Sequence, residues 1–131
     1  MTRINLINVE ELTDQHLLAE HREIKRIPNV ISKGKYSLKW MPETYTMWTG
    51  HVKFFYDKIE WLHNRYIAIY NECLSRWFNV ENYEQSFLIY WPLYNDYVPT
   101  EEAKLISLKR IKEKLDSKKS FYRLRGVLII N

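Results

Sequence analysis

The sequence predicts an all-α fold: one compact domain, residues 1–131, of three main helices joined by long irregular connections. Three observations point there. Only three glycines and four prolines interrupt 131 residues, too few for a many-turned sheet. Apolar side chains at Val52, Phe55, Ile59, Leu62, Tyr66, Ile69, Cys73 and Trp77 recur at alternating steps of three and four until the last step. That is the period of a helix burying one face, here over residues 51–78. Thr100, followed by Glu101 and Glu102, is the start signal of another helix.

Residues 1–8 read as an extended lead-in. Asn8 or Thr13 caps the first helix, whose Glu10, Glu11 and Asp14 suit its positive end. Leu12, Leu17, Leu18, Ile24 and Ile27 supply its apolar side, and Pro28 is expected to end it near Arg26. Arg22 and Arg26, four apart, project from one face, while Glu23 looks sideways towards a neighbouring segment. Residues 28–50 read as a loop in which Lys33, Lys35 and Lys39 alternate with Tyr36, Trp40, Tyr45 and Trp48. Two readings of that pattern stand open: a nucleic-acid surface, or a covering loop whose aromatics pack inward. Residues 79–99 form an irregular connection with a short helix at 82–90. The helix after Thr100 is expected to bury Leu105, Leu108, Ile111 and Leu115. Its remaining surface and its end carry Lys104, Lys109, Arg110, Lys112, Lys114, Lys118 and Lys119. The apolar run Val127 to Ile130 is expected to dock on the core.

With 46% hydrophobic and 27% charged residues, a folded domain is expected rather than disorder. The net charge of +4 permits an anionic partner without demanding one. Cys73 is the single cysteine, which excludes an internal disulfide and a thiolate metal cluster, and its place on the apolar stripe assigns it to the core. His51 and His63 lie twelve apart without supporting ligands and read as satisfied or surface histidines. Phosphate-binding glycine loops and serine-elbow motifs are absent. No apolar run approaches membrane-spanning length and no signal-peptide core opens the chain, so a soluble, cytoplasmic setting is expected.

One stretch has chemistry of its own. Removal of Met1 leaves a free α-amine on Thr2. Such an amine has a pKa near 7.7–8.0, so roughly a tenth is neutral and nucleophilic at pH 7 without deep burial. Glu23 is then a candidate proton handler, and Arg3, Arg22 and Arg26 are candidate anion binders. On the residues alone the other reading stays open, since arginine- and glutamate-rich helices are commonly solvated faces.

MTRINL at 1–6, LTDQHLLAEHRE at 12–23 with Arg26, and GHVKFFYDKIEWL at 50–62 resemble the pyrimidine-dimer DNA glycosylases of the phage endonuclease V type. Weaker echoes follow in ECLSRWFN at 72–79, DYVP at 96–99, ISLKRIKEKL at 106–115 and FYRLRG at 121–126. The resemblance implies a compact, all-helical enzyme acting on damaged double-stranded DNA at ultraviolet-induced cyclobutane pyrimidine dimers, with neither metal nor cofactor. By that resemblance Thr2 attacks C1′ through its amine and forms an imine to the sugar, Glu23 moves protons, and β-elimination nicks the strand. The undamaged nucleotide opposite the lesion is the one thrust out of the helix. Arg3, Arg22 and Arg26 grip phosphates and lesion, with Gln15 and His16 nearby. Arg110 and Lys114 hold the backbone, and Gln15, His16 and, in the aromatic tail, Tyr122 are expected to bind DNA with them.

Three departures accompany the match. Residues 27–50 are shorter than is usual, His21 replaces a tyrosine, and Leu124 and Arg125 replace aromatics, all in regions expected to touch DNA. Two rival readings follow: the same chemistry on an abasic site or ring-opened purine, or a non-catalytic DNA-binding relative. The protein is expected to act as a monomer.

Overall fold

The computed structural model describes residues 2–88, 91–118 and 120–129, with Trp91 by its main chain alone. In chain order the helices are α1 (Asp14–Glu23), α2 (Arg26–Ser32), α3 (His51–Phe54), α4 (Ile59–Ser75) and α5 (Glu101–Ser117). Short 3-10 turns cover Val9–Glu11, Glu84–Phe87 and Trp91–Leu93. β1 (Arg123–Leu124) pairs antiparallel with β2 (Val127–Leu128). The fold is all-α in character, and α1, α4 and α5 are the three principal helices expected.

Thr13 caps α1: its hydroxyl accepts from the His16 N–H at 3.1 Å. Asn8 instead precedes the 3-10 turn and makes no side-chain cap. Thr100 caps α5 by accepting from Ala103 N–H at 3.1 Å. Leu12, Leu17, Ile24 and Ile27 are buried against Ile59, Leu62, Tyr66, Ile69 and Cys73 of α4. Each such aliphatic side chain contributes about 1.5–3 kcal/mol on burial. Cys73 is buried and its thiol is pushed up to about 11, chiefly by desolvation, so it is an inert core residue.

Four expectations need correction. Pro28 does not end a helix; it lies in the first turn of α2, where a missing N–H leaves no bond unmade. Residues 51–78 are two helices, because Phe54 and Phe55 are both buried. Adjacent residues on one straight helix diverge by about 100° and do not share a stripe. The chain therefore turns at 55–58, and the Lys58 ammonium caps the turn by donating to Phe54 O at 2.9 Å. α5 buries Ala103, Ser107 and Ile111, leaving Leu105 and Leu108 exposed and Leu115 half-buried. The expected helix at 82–90 is the turn Glu84–Phe87, with residues 89 and 90 outside the described set.

The tail is a hairpin. Arg125 (φ 50) and Gly126 (φ 82) both sit in the left-handed region, the signature of a type I′ turn. Asp14 holds this turn, its two oxygens accepting from the N–H groups of Arg125 (2.9 Å) and Gly126 (2.8 Å). Arg76, its side chain fully buried, bridges Asp14 (3.0 Å) and Glu72 (2.7 Å). It also donates to the carbonyls of Leu12, Val9 and Glu10. Arg125 joins the cluster at Glu72 (3.1 Å). His21 lies in the interior, beside Tyr66 and the Glu81 carbonyl. Of the apolar tail run, Val127 is exposed, Leu128 and Ile129 are half-buried, and Ile130 is outside the described residues.

Candidate functional site

The N-terminal segment joins no sheet, so its backbone groups need other partners. Buried side chains supply them. Ile4 N–H donates to His51 Nε2 at 2.8 Å, which puts the ring proton on Nδ1, donating to Thr46 O at 2.6 Å. Tyr45 donates to Ile4 O at 2.6 Å and lies 2.7 Å from Ser107 Oγ, which accepts from Leu6 N–H at 3.0 Å. Glu20 accepts from both the backbone and the side-chain amide of Asn5. Arg65 clamps Glu20 through two bonds of 2.7 and 3.0 Å and reaches Ile7 O at 2.6 Å. Burial, opposed by the Thr46 hydrogen bond, pulls the His51 value down to about 4, so the ring that holds Ile4 is neutral at pH 7.

This frame fixes Thr2 and Arg3 beside the end of α1. Arg3 N–H donates to Glu23 Oε1 at 3.2 Å, and the Arg3 guanidinium donates to Thr2 O at 3.1 Å. The other Glu23 oxygen lies 3.8 Å from the Arg22 guanidinium. Arg22 and Arg26 are exposed. Glu20, with both oxygens occupied, is a structural carboxylate, whereas Glu23 keeps capacity for a ligand. Burial, and then the charge of Arg110, lower the Arg3 value, opposed by Tyr45 and Glu23.

Arg3 lines two clefts. The charged one, about 270 Å³, is lined by Arg3, Asn5, His16, Glu23, Arg110 and Lys114 among others. The second, about 470 Å³, runs from Thr2 and Arg3 past Trp40, Trp48, Lys53 and Tyr56. The structure thus brings together Thr2, Arg3, Glu23, His16, Arg110 and Lys114. His16 bonds Thr13 Oγ1 at 2.6 Å and stacks on Tyr122 at 4.7 Å. Burial, then Arg110 and Lys114, lower its value to about 4. Tyr122 is buried beneath Phe121 and supports His16. Gln15 holds the tail: its amide donates to Phe121 O at 2.8 Å and accepts from Arg123 N–H at 2.9 Å.

Residues 1–84 match the family model for pyrimidine dimer DNA glycosylase. The chain belongs to that family. This glycosylase acts on DNA, and the matched stretch holds Thr2, Glu23 and the frame from Glu20 to Arg65. Arg110, Lys114 and Tyr122 lie beyond it, on α5 and the tail. Among the described residues no group of three or more His, Cys, Asp or Glu is placed to hold a metal ion. No helix among them is long and apolar enough to cross a membrane.

Glu20, Arg65 and Ser107 escaped the sequence reading, whereas His51 is a satisfied histidine and Tyr45 packs inward, each as one of the expected readings had it. One signal was available. Glu20 falls between Leu17 and Ile24 on an apolar stripe, and Ser107 falls between Ala103 and Ile111. A polar residue at a buried helical position needs a partner, and here the partner is the N-terminal backbone.

Proposed function

We propose that the protein cleaves the glycosidic bond at cyclobutane pyrimidine dimers in duplex DNA through the Thr2 α-amine, and then nicks the strand as an abasic-site lyase. The observation that carries this reading is the 3.2 Å bond from Arg3 N–H to Glu23. It sets an incompletely used carboxylate one residue from the nitrogen that loss of Met1 would free. Met1 itself lies outside the described residues. The neutral amine attacks C1′. The glycosidic electron pair leaves with the base, which takes up a proton. The new C1′-bound nitrogen sheds a proton, and the C1′–O4′ bond then opens, O4′ taking up a proton. C1′ is left doubly bonded to nitrogen as a cationic imine. Loss of a proton from C2′ then expels the 3′ phosphate. Dividing one hard cleavage between two easier steps is the gain of covalent catalysis.

Glu23 serves both steps, as a counter-charge to the imine and as a proton carrier. The cationic side chains of Arg3 and Arg22 disfavour the ammonium form of the amine, while Glu23 pulls the other way. Arg3, Arg22, Arg26, Arg110 and Lys114 bind phosphates, with His16 as a neutral hydrogen-bonding wall. Gln15 and Tyr122 act by holding the tail against that wall. The chemistry needs neither metal nor cofactor, and one chain acting as one domain supplies every group.

Glu23→Gln tests the assignment, because glutamine retains an oxygen for the Arg3 N–H. The variant should fold, bind dimer-containing duplex within about tenfold of wild type, and lose nicking by about 10²–10⁴-fold. Nicking at the wild-type rate would remove Glu23 from the chemistry.

A further inference from the structure

Two large aromatic side chains stand in solvent beside Thr2. Trp40 is 93% and Trp48 81% exposed, and both line the cleft that Thr2 and Arg3 also line. Other aromatics of the same segment behave differently: Tyr45 is buried and Tyr36 packs against the core. The segment therefore sorts its rings, two inward and two outward. Trp40 also holds a left-handed backbone (φ 61), which a bulky residue adopts only at a cost. Neither burial nor local conformation accounts for a tryptophan there.

The cleft is built rather than loose. Gly50 has φ +91, and a Cβ on it would come 2.6 Å from Pro42 Cγ. Pro42 thus packs on bare backbone at the start of α3, holding the Trp40–Trp48 stretch against the body of the protein. Charge matches a nucleic acid: Lys53 and Arg3 line the cleft, and Lys35 and Lys39 are exposed on the same segment. Arg3 also lines the charged cleft that holds Glu23.

We propose that the Trp40–Trp48 cleft is a stacking site for one unstacked nucleobase of the bound DNA. Flat aromatic faces accept any base, because every base has a π-face, while adjacent cations neutralise the backbone. A base within an intact duplex is already stacked and paired, so the site favours DNA that is locally opened. The proposal rests on the glycosylase reading for the identity of the polymer, and not on the imine chemistry.

The test compares binding of a fluorescently labelled short single strand with binding of the fully paired duplex of the same sequence. Trp40→Ala and Trp48→Ala, both at exposed positions, should each weaken single-strand binding about tenfold. They should leave duplex binding within about twofold, since phosphate contacts dominate there. Trp48→Phe should keep most of the single-strand affinity. Alanine variants that bind the single strand as wild type does, or that lose both ligands equally, would overturn the proposal. Failure of the wild-type protein to form an imine would leave this readout unaffected, so the two ideas fail separately.

Discussion

Among single residues, the His51 and His16 imidazoles weaken the fold in acid. His51 falls from its ordinary 6.5 to about 4 through burial, which outweighs the Thr46 hydrogen bond. In the unfolded chain it takes up a proton near pH 6.5, whereas in the folded protein it does not until about pH 4. Its stabilisation is therefore fully present above pH 6.5 and fades as pH falls through about 4, by about 3 kcal/mol in all. His16 acts in the same direction, with burial first and the charges of Arg110 and Lys114 behind it. Imidazole resonances followed by NMR should show neither ring titrating between pH 8 and 5. A midpoint near 6.5 for His51 would contradict its role as neutral acceptor for Ile4 N–H. The same geometry explains why the N-terminal site was only half legible in the sequence. Thr2, Arg3 and Glu23 have chemistry of their own, but nothing in local spacing joins them. The joining is done by Glu20, Arg65, His51 and Ser107, whose partners lie 15 to 101 positions away.

At the level of elements, α4 ends on a residue at odds with its position. Trp77 N–H donates to Leu74 O at 3.0 Å and Phe78 N–H to Cys73 O at 2.9 Å, a Schellman arrangement that puts Trp77 at φ 64. Glycine suits that place, and Trp77 is 93% exposed, so its ring adds little packing in return. Trp77→Gly should stabilise the protein by about 1 kcal/mol, raising Tm by about 3–5 °C in a thermal melt. A lower Tm would mean that the tryptophan makes contacts of its own. The helices themselves were largely readable: Thr13, Thr100 and the 59–73 stripe mark their starts and buried faces. The break at 55–58 was not, because the spacing from Phe55 to Ile59 stays helical while the chain turns. Nor was the buried face of α5. Leu105 and Leu108 outweigh Ala103 and Ser107 in any hydrophobic pattern, yet the small pair lets the N-terminal segment approach, and Ser107 bonds it.

For the molecule as a whole, the net charge of +4 matters less than its placement. Arg3, Arg110 and Lys114 converge on one cleft, brought there by the N-terminal segment and α5. DNA binding should weaken linearly with log salt. Lys114→Ala should reduce that slope by about one, as expected for one phosphate contact. An unchanged slope would take α5 off the DNA face. The central claim, however, is the amine. Borohydride reduction of Met1-cleaved protein mixed with dimer-containing duplex measures it most directly. The account predicts a covalent protein–DNA adduct through the Thr2 nitrogen. Intact binding without an adduct, or an adduct on abasic DNA but none on dimers, would contradict it.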